Sequence, residues 1–111
     1  RFFWVRLKSA LTAPNGMEYF DGGMKDALVP TKEQPPLKGK VVSSTKKSFV
    51  LALSDDTTPE VTIVLGSKPL KQELAPGTVV EFWGVPQKLT QSPFILEFLI
   101  DGPVAEYRIV P

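Results

Sequence analysis

Ser48-Phe49-Val50-Leu51-Ala52-Leu53-Ser54, then Asp55-Asp56-Thr57-Thr58-Pro59, then Val61-Thr62-Ile63-Val64-Leu65 is the stretch that decides the fold. Phe49, Leu51 and Leu53 occupy alternate positions, and so do Val61, Ile63 and Leu65. A period of two puts each set on one face of an extended strand, where β-branched and aromatic side chains pack well. The residues from Asp55 to Pro59 are turn formers, so the two runs read as neighbouring strands joined by a polar turn.

The same period extends outward in both directions. Lys38–Thr45 carries Val41 and Val42 after Gly39 and reads as the preceding strand. On the other side, Thr78–Val85 places Val80, Phe82 and Gly84 on one face and Val79, Glu81, Trp83 and Val85 on the other. Phe94, Leu96, Phe98 and Ile100 alternate in a last long strand, and Tyr107–Val110 is expected to add a short edge strand. Ser67–Gly77 is expected to hold a single helical turn around Leu70–Leu74, closed by Ala75-Pro76-Gly77, and the prolines of Pro86–Pro93 make that segment an expected loop. About five strands with one short connecting turn suit a mainly β fold, a small five-stranded OB-like antiparallel barrel. A sandwich would want more strands, and an SH3-like barrel has shorter ones. Gly39, Gly66 and Gly84 suit the bends of a small closing sheet.

Before the strands the period is nearer 3.6. Phe3, Leu7, Ala10 and Leu11 share one side of a helix that Ala13-Pro14-Asn15-Gly16 ends. Met17, Phe20, Met24 and Leu28 suggest a second helical segment, although Gly22-Gly23 inside it costs about 2 kcal/mol relative to alanines. The expected organisation is a helical segment over 1–29, a proline-rich linker over 30–36 and the OB-like barrel over 37–111. Two amphipathic helices cannot bury their faces alone, so they are expected to pack on the barrel or on further chain. Arg1 is no initiator Met and Arg1–Val5 is too short for a signal-peptide core, so the chain is expected to be a fragment of a longer protein.

Composition removes several kinds of chemistry. The 111 residues include no Cys and no His, so a disulfide framework and the usual zinc, copper and haem ligand sets are excluded. Thirteen basic against 12 acidic residues leave a net charge of +1, which does not advertise nucleic acid or an anionic membrane. No apolar run approaches the roughly 20 residues that span a bilayer. Ser43, Ser44 and Ser48 have no histidine to activate them, and Asp21-Gly22-Gly23 matches neither phosphate-loop nor dinucleotide spacing. No catalytic residue, cofactor site or metal site is expected. Asp55-Asp56-Thr57-Thr58 lacks the spacing and terminal Glu of a calcium loop and reads as a solvated turn.

The candidate ligand surface is Trp83 and Phe94 with Lys38, Lys40, Lys46 and Lys47. Aromatics on an OB sheet face stack bases or sugars, and flanking lysines contact phosphate. Phe82 and Trp83 lie on opposite faces, so one points outward. The competing structural reading is that the outward aromatic is a platform for the N-terminal helices. Lysines are also common on exposed strand edges, where they discourage aggregation. The structural readings are preferred for both the aromatics and the lysines.

Lys38-Gly39-Lys40-Val41-Val42-Ser43-Ser44, Leu74-Ala75-Pro76-Gly77-Thr78-Val79-Val80-Glu81-Phe82-Trp83-Gly84-Val85 and Ser92-Pro93-Phe94 together resemble the C-terminal OB-like region of acidobacterial-type tetratricopeptide repeat proteins. The resemblance extends to Ala13-Pro14-Asn15-Gly16-Met17-Glu18-Tyr19. It implies a barrel that follows helical repeats in a longer bacterial protein, and the lack of cysteine suits the cytoplasm and a bacterial envelope equally. It also implies protein scaffolding, with another protein or upstream repeats as partner, and no catalytic residues. The function expected from sequence is therefore a non-enzymatic protein-interaction module, with edge-strand pairing or the outward faces of Phe49–Leu53 and Thr78–Val85 as contact surface. The alternative is an OB module for single-stranded nucleic acid or oligosaccharide.

Overall fold

The computed structural model describes residues 2–111. The chain is mainly β with a short N-terminal helical segment. Its elements are α1 (Phe2–Thr12), α2 (Gly16–Tyr19), a π-helical turn (Phe20–Met24), β1 (Leu37–Ser44), β2 (Ser48–Ala52), β3 (Val61–Leu65), β4 (Val79–Trp83), β5 (Val85–Gln91), β6 (Phe94–Ile100) and β7 (Glu106–Val110). The strands form one sheet in the order β5-β6-β3-β2-β1-β4-β7. No helix among the described residues is long and apolar enough to cross a membrane.

The deciding stretch folds as its alternation dictates. Phe49 pairs with Ile63 and Leu51 with Val61 across the antiparallel β2–β3 ladder, and all four side chains are buried. Val80 and Phe82 of β4 point into the same core, and Phe82 meets Phe98 of β6 edge-on at 5.1 Å. Such ring pairs add stability beyond the area they bury.

From Leu37 onward, four expectations change. The sheet has seven strands rather than five, and its hydrogen bonding does not return from the β7 edge to the β5 edge. Pro86–Pro93 is largely strand β5 instead of a loop. Pro86 is tolerated because the β5–β6 register shifts between Pro86 and Lys88, a place where a missing N–H costs no regular ladder bond. The sheet is not wholly antiparallel, because β3 runs parallel to β6, with Ile63 opposite Phe98. The long crossover that a parallel pair needs is supplied by the chain from Gly66 through β4 and β5. No helical turn forms at Leu70–Leu74. There the Leu70 N–H donates to the Lys46 carbonyl at 2.7 Å and the Leu74 N–H to Ser44 Oγ at 3.0 Å, so the backbone is tied across the β1–β2 hairpin.

Gly84 is the single residue between β4, which pairs with β1 and β7, and β5, which pairs with β6. Strands so far apart in the sheet order can be consecutive only if the sheet curls. A side chain at Gly84 would place its Cβ 2.9 Å from the Phe98 ring, so the bend brings backbone against aromatic too closely for anything but glycine.

The helical segment shares the core of the strands. The buried stripe of α1 is Trp4, Leu7 and Leu11, whereas Phe3 is 38% exposed and Ala10 only partly covered. Leu7 and Leu11 are buried as expected, and Trp4 rather than Phe3 completes the stripe because its indole finds polar partners at Ser54 and Glu60, between β2 and β3. In the second segment Phe20 and Met24 are buried and Met17 is 41% exposed. Helix ends after the π-helical turn. Val29 instead exchanges backbone hydrogen bonds with Gly84, at 2.8 and 3.0 Å, which docks the chain on the bend.

Candidate functional site

The outward face of β1, β4 and β7 gathers three of the six sequence candidates. Register places Lys38 beside Glu81 and Glu81 beside Arg108, Lys40 beside Val79 and Val79 beside Val110, and Trp83 beside Glu106. Trp83, Lys38 and Lys40 therefore lie on one surface, half-buried or exposed. Phe94 is elsewhere, beneath α1, with its ring edge-on to Trp4 at 5.9 Å and the Lys8 ammonium 5.3 Å from its centroid. Lys46 and Lys47 stand exposed in the turn from β1 to β2.

The surroundings of Trp83 were not legible as a site. Lys32 of the linker places its ammonium 4.3 Å from the Trp83 ring centroid, and the Arg108 guanidinium carbon lies at 5.9 Å. The Trp83 indole N–H donates to the Gln34 carbonyl at 3.2 Å. Each cation has an acid of its own: Lys32 pairs with Glu106, and Arg108 with Glu81 at 2.7 Å. Hydrogen bonding and charge from Lys32 hold the Glu106 carboxyl below its ordinary range. Trp83 is thus covered by the linker and by β7, whereas the aromatic that the N-terminal helix covers is Phe94. Lys40 is paired with Asp56 at 3.0 Å. The resulting face alternates in sign.

The one buried charged side chain among the described residues is Glu60, 1% exposed, at the entry to β3. Its Oε1 accepts from the Leu53 and Ser54 N–H groups at 2.8 and 2.7 Å. Its Oε2 accepts from Ser54 Oγ at 2.6 Å, Lys8 Nζ at 2.7 Å and Trp4 Nε1 at 3.3 Å. Burial alone would push this carboxyl up, but the Lys8 ammonium and the Ser54 and Leu53 donors outweigh it and hold the pKa at about 2. A carboxylate so buried and so fully donated to ties α1 to the turn between β2 and β3. No pattern marks Glu60 in the sequence, where it simply follows a polar turn.

That turn is self-contained. Asp55 Oδ1 accepts from the Thr57 and Thr58 N–H groups at 3.0 and 2.7 Å, and Oδ2 from Thr58 Oγ1 at 2.6 Å. These donors lower the Asp55 carboxyl to about 2. No group of three or more acidic side chains among the described residues could hold a metal ion.

The remaining feature is the free side of β7. Thr78 accepts from the Val41 N–H of β1. In an antiparallel ladder, alternate residues direct both backbone groups to the same neighbour. Residues 78, 80 and 82 therefore face β1, and Val79, Glu81 and Trp83 face β7. Their partners Val110, Arg108 and Glu106 spend their backbone groups on β4, so the N–H and C=O of Tyr107 and Ile109 point away from the sheet. β7 has no strand on that side, and the Ile109 side chain is 50% exposed. On the opposite edge, β5, one backbone group is already engaged: the Pro86 carbonyl accepts from the Asp26 N–H at 3.0 Å. Comparison with protein-family models, with curated proteins and with solved structures finds no match to this chain.

Proposed function

We propose that this chain is a non-enzymatic protein-interaction module, an OB-like curled sheet that makes its contact through the free edge of β7. The observation that carries the reading is the outward pair of backbone groups at Tyr107 and Ile109, beside a half-exposed isoleucine. An open edge of this kind accepts another strand by main-chain hydrogen bonding. The OB-like description is supported by the β1-β2-β3 meander, the parallel β3–β6 pair, and the β4–Gly84–β5 segment that touches β1 at one end and β6 at the other. The resemblance to the C-terminal region of tetratricopeptide repeat proteins agrees with a scaffolding role.

A second reading, an OB module for single-stranded nucleic acid, is favoured by one observation: Trp83, Lys38 and Lys40 share a face with Lys32 and Arg108. It is the weaker one. The Trp83 ring is already engaged by Lys32, Phe94 lies under α1, and Glu81, Glu106 and Asp56 neutralise three of the four cations. Labelled mixed-sequence oligonucleotides titrated at low and then higher salt separate the two. The interaction-module reading expects no binding even at low salt. Binding that weakens steeply with added salt, as phosphate contacts do, would replace it with the nucleic-acid reading.

A further inference from the structure

We infer that the occupant of the β7 edge is a second copy of this chain, paired antiparallel through β7 about a two-fold axis at Tyr107. The inference rests on the open-edge reading above. It adds a partner and a register, both selected by the residues of β7.

Self-pairing must bring the outward residues Tyr107 and Ile109 opposite outward residues of the copy, which leaves three two-fold registers. An axis at Arg108 sets Arg108 directly opposite Arg108 of the second copy, and like charges in that position oppose pairing. An axis at Ile109 sets Tyr107 opposite Pro111, which has no N–H to donate. An axis at Tyr107 sets Glu106 opposite Arg108 of the second copy twice over, with Tyr107 on Tyr107 at the centre and the half-exposed Ile109 opposite Ala105. Only this register is complementary in charge.

Its charges also continue the pattern on the outward face. Across one row of the sheet run Lys38, Glu81 and Arg108, as the registers of β1 with β4 and of β4 with β7 define. The next position in that row is Glu106 of the second copy, which brings its own Lys32. The signs alternate from β1 of one copy to the linker of the other. Glu106 and Arg108 have side chains 60% and 64% exposed, so both are accessible for such a contact.

A short strand-edge contact falls in the weak class of interfaces, below about 1,200 Å2, so sedimentation equilibrium should extend to about 1 mM chain. A reversible dimer is expected. E106R and R108E each place like charges across the axis and should weaken association about tenfold or more. An equimolar mixture of E106R and R108E should restore it, because each reversed residue then faces an opposite charge. I109P removes only an outward N–H and should also yield monomer. Circular dichroism of each variant establishes that the monomer still folds.

A wild-type chain that is monomeric throughout would overturn the second-copy inference and leave the open edge in place. A dimer unaffected by I109P, or a mixture of the two reversals that stays monomeric, would overturn the edge and register respectively. Oligonucleotide binding would instead sink the underlying functional reading.

Discussion

Glu60 concentrates more of the fold's polar energetics than any other side chain described. It joins α1, through Trp4 and Lys8, to the turn at Leu53 and Ser54. Removing one partner of a buried charged network leaves the others desolvated and unpaired, so Glu60→Ala should cost about 3–5 kcal/mol in urea unfolding. The pH dependence has a definite sign. The carboxyl lies at about 2 in the folded chain against an ordinary 4.5. Its contribution is therefore complete above about pH 4.5 and drains away as the pH falls toward about 2. Urea midpoints should fall across that window in the wild type, and by a smaller amount in Glu60→Ala. Lys32 is the opposite case, an exposed cation over Trp83. Lys32→Ala should cost about 1 kcal/mol or less while changing the Trp83 fluorescence, with Trp4 as the buried reference.

At the scale of elements, the bend between β4 and β5 is the most sensitive position. Gly84→Ala should destabilise by about 1–3 kcal/mol in thermal unfolding, because the added methyl meets the Phe98 ring. Trp4→Ala, which empties the contact between α1 and Phe94, should cost about 3–5 kcal/mol. The strands most legible in the sequence are β2, β3, β4 and β6, whose apolar residues alternate over one buried face; β1 and the short edge strand β7 were also read, within a residue of their bounds. β5 was hidden because Pro86 and Pro93 speak locally for a loop, and only pairing with β6 and burial of Leu89 make it a strand. Parallel pairing of β3 with β6 has no local signature at all. The helical stripe was right at Leu7 and Leu11 and wrong at Phe3, because hydrophobicity cannot separate Phe3 from Trp4, whereas the indole N–H can be satisfied at Glu60 and Ser54. Of the candidate site, strand parity put Phe82 and Trp83 on opposite faces, and burial of Phe82 makes Trp83 the outward one. Its contacts from Lys32 and Arg108 depend on tertiary approach and left no trace in sequence spacing.

The whole molecule is a curled sheet that commits most of its conspicuous groups internally. α1 covers Phe94, the linker covers Trp83, and three of the four cations on the outward face are neutralised by acids. In the sheet itself, β7 is left as an edge with two residues' backbone groups directed outward. Protein contact at that edge is the central claim, and amide hydrogen exchange of the dilute chain tests it most directly, residue by residue. The Tyr107 and Ile109 amides should exchange rapidly while the Arg108 and Val110 amides, spent on β4, exchange more slowly. Equal and strong protection of Tyr107 and Ile109 in the dilute chain would mean that the edge is already occupied within the molecule, and would contradict the account.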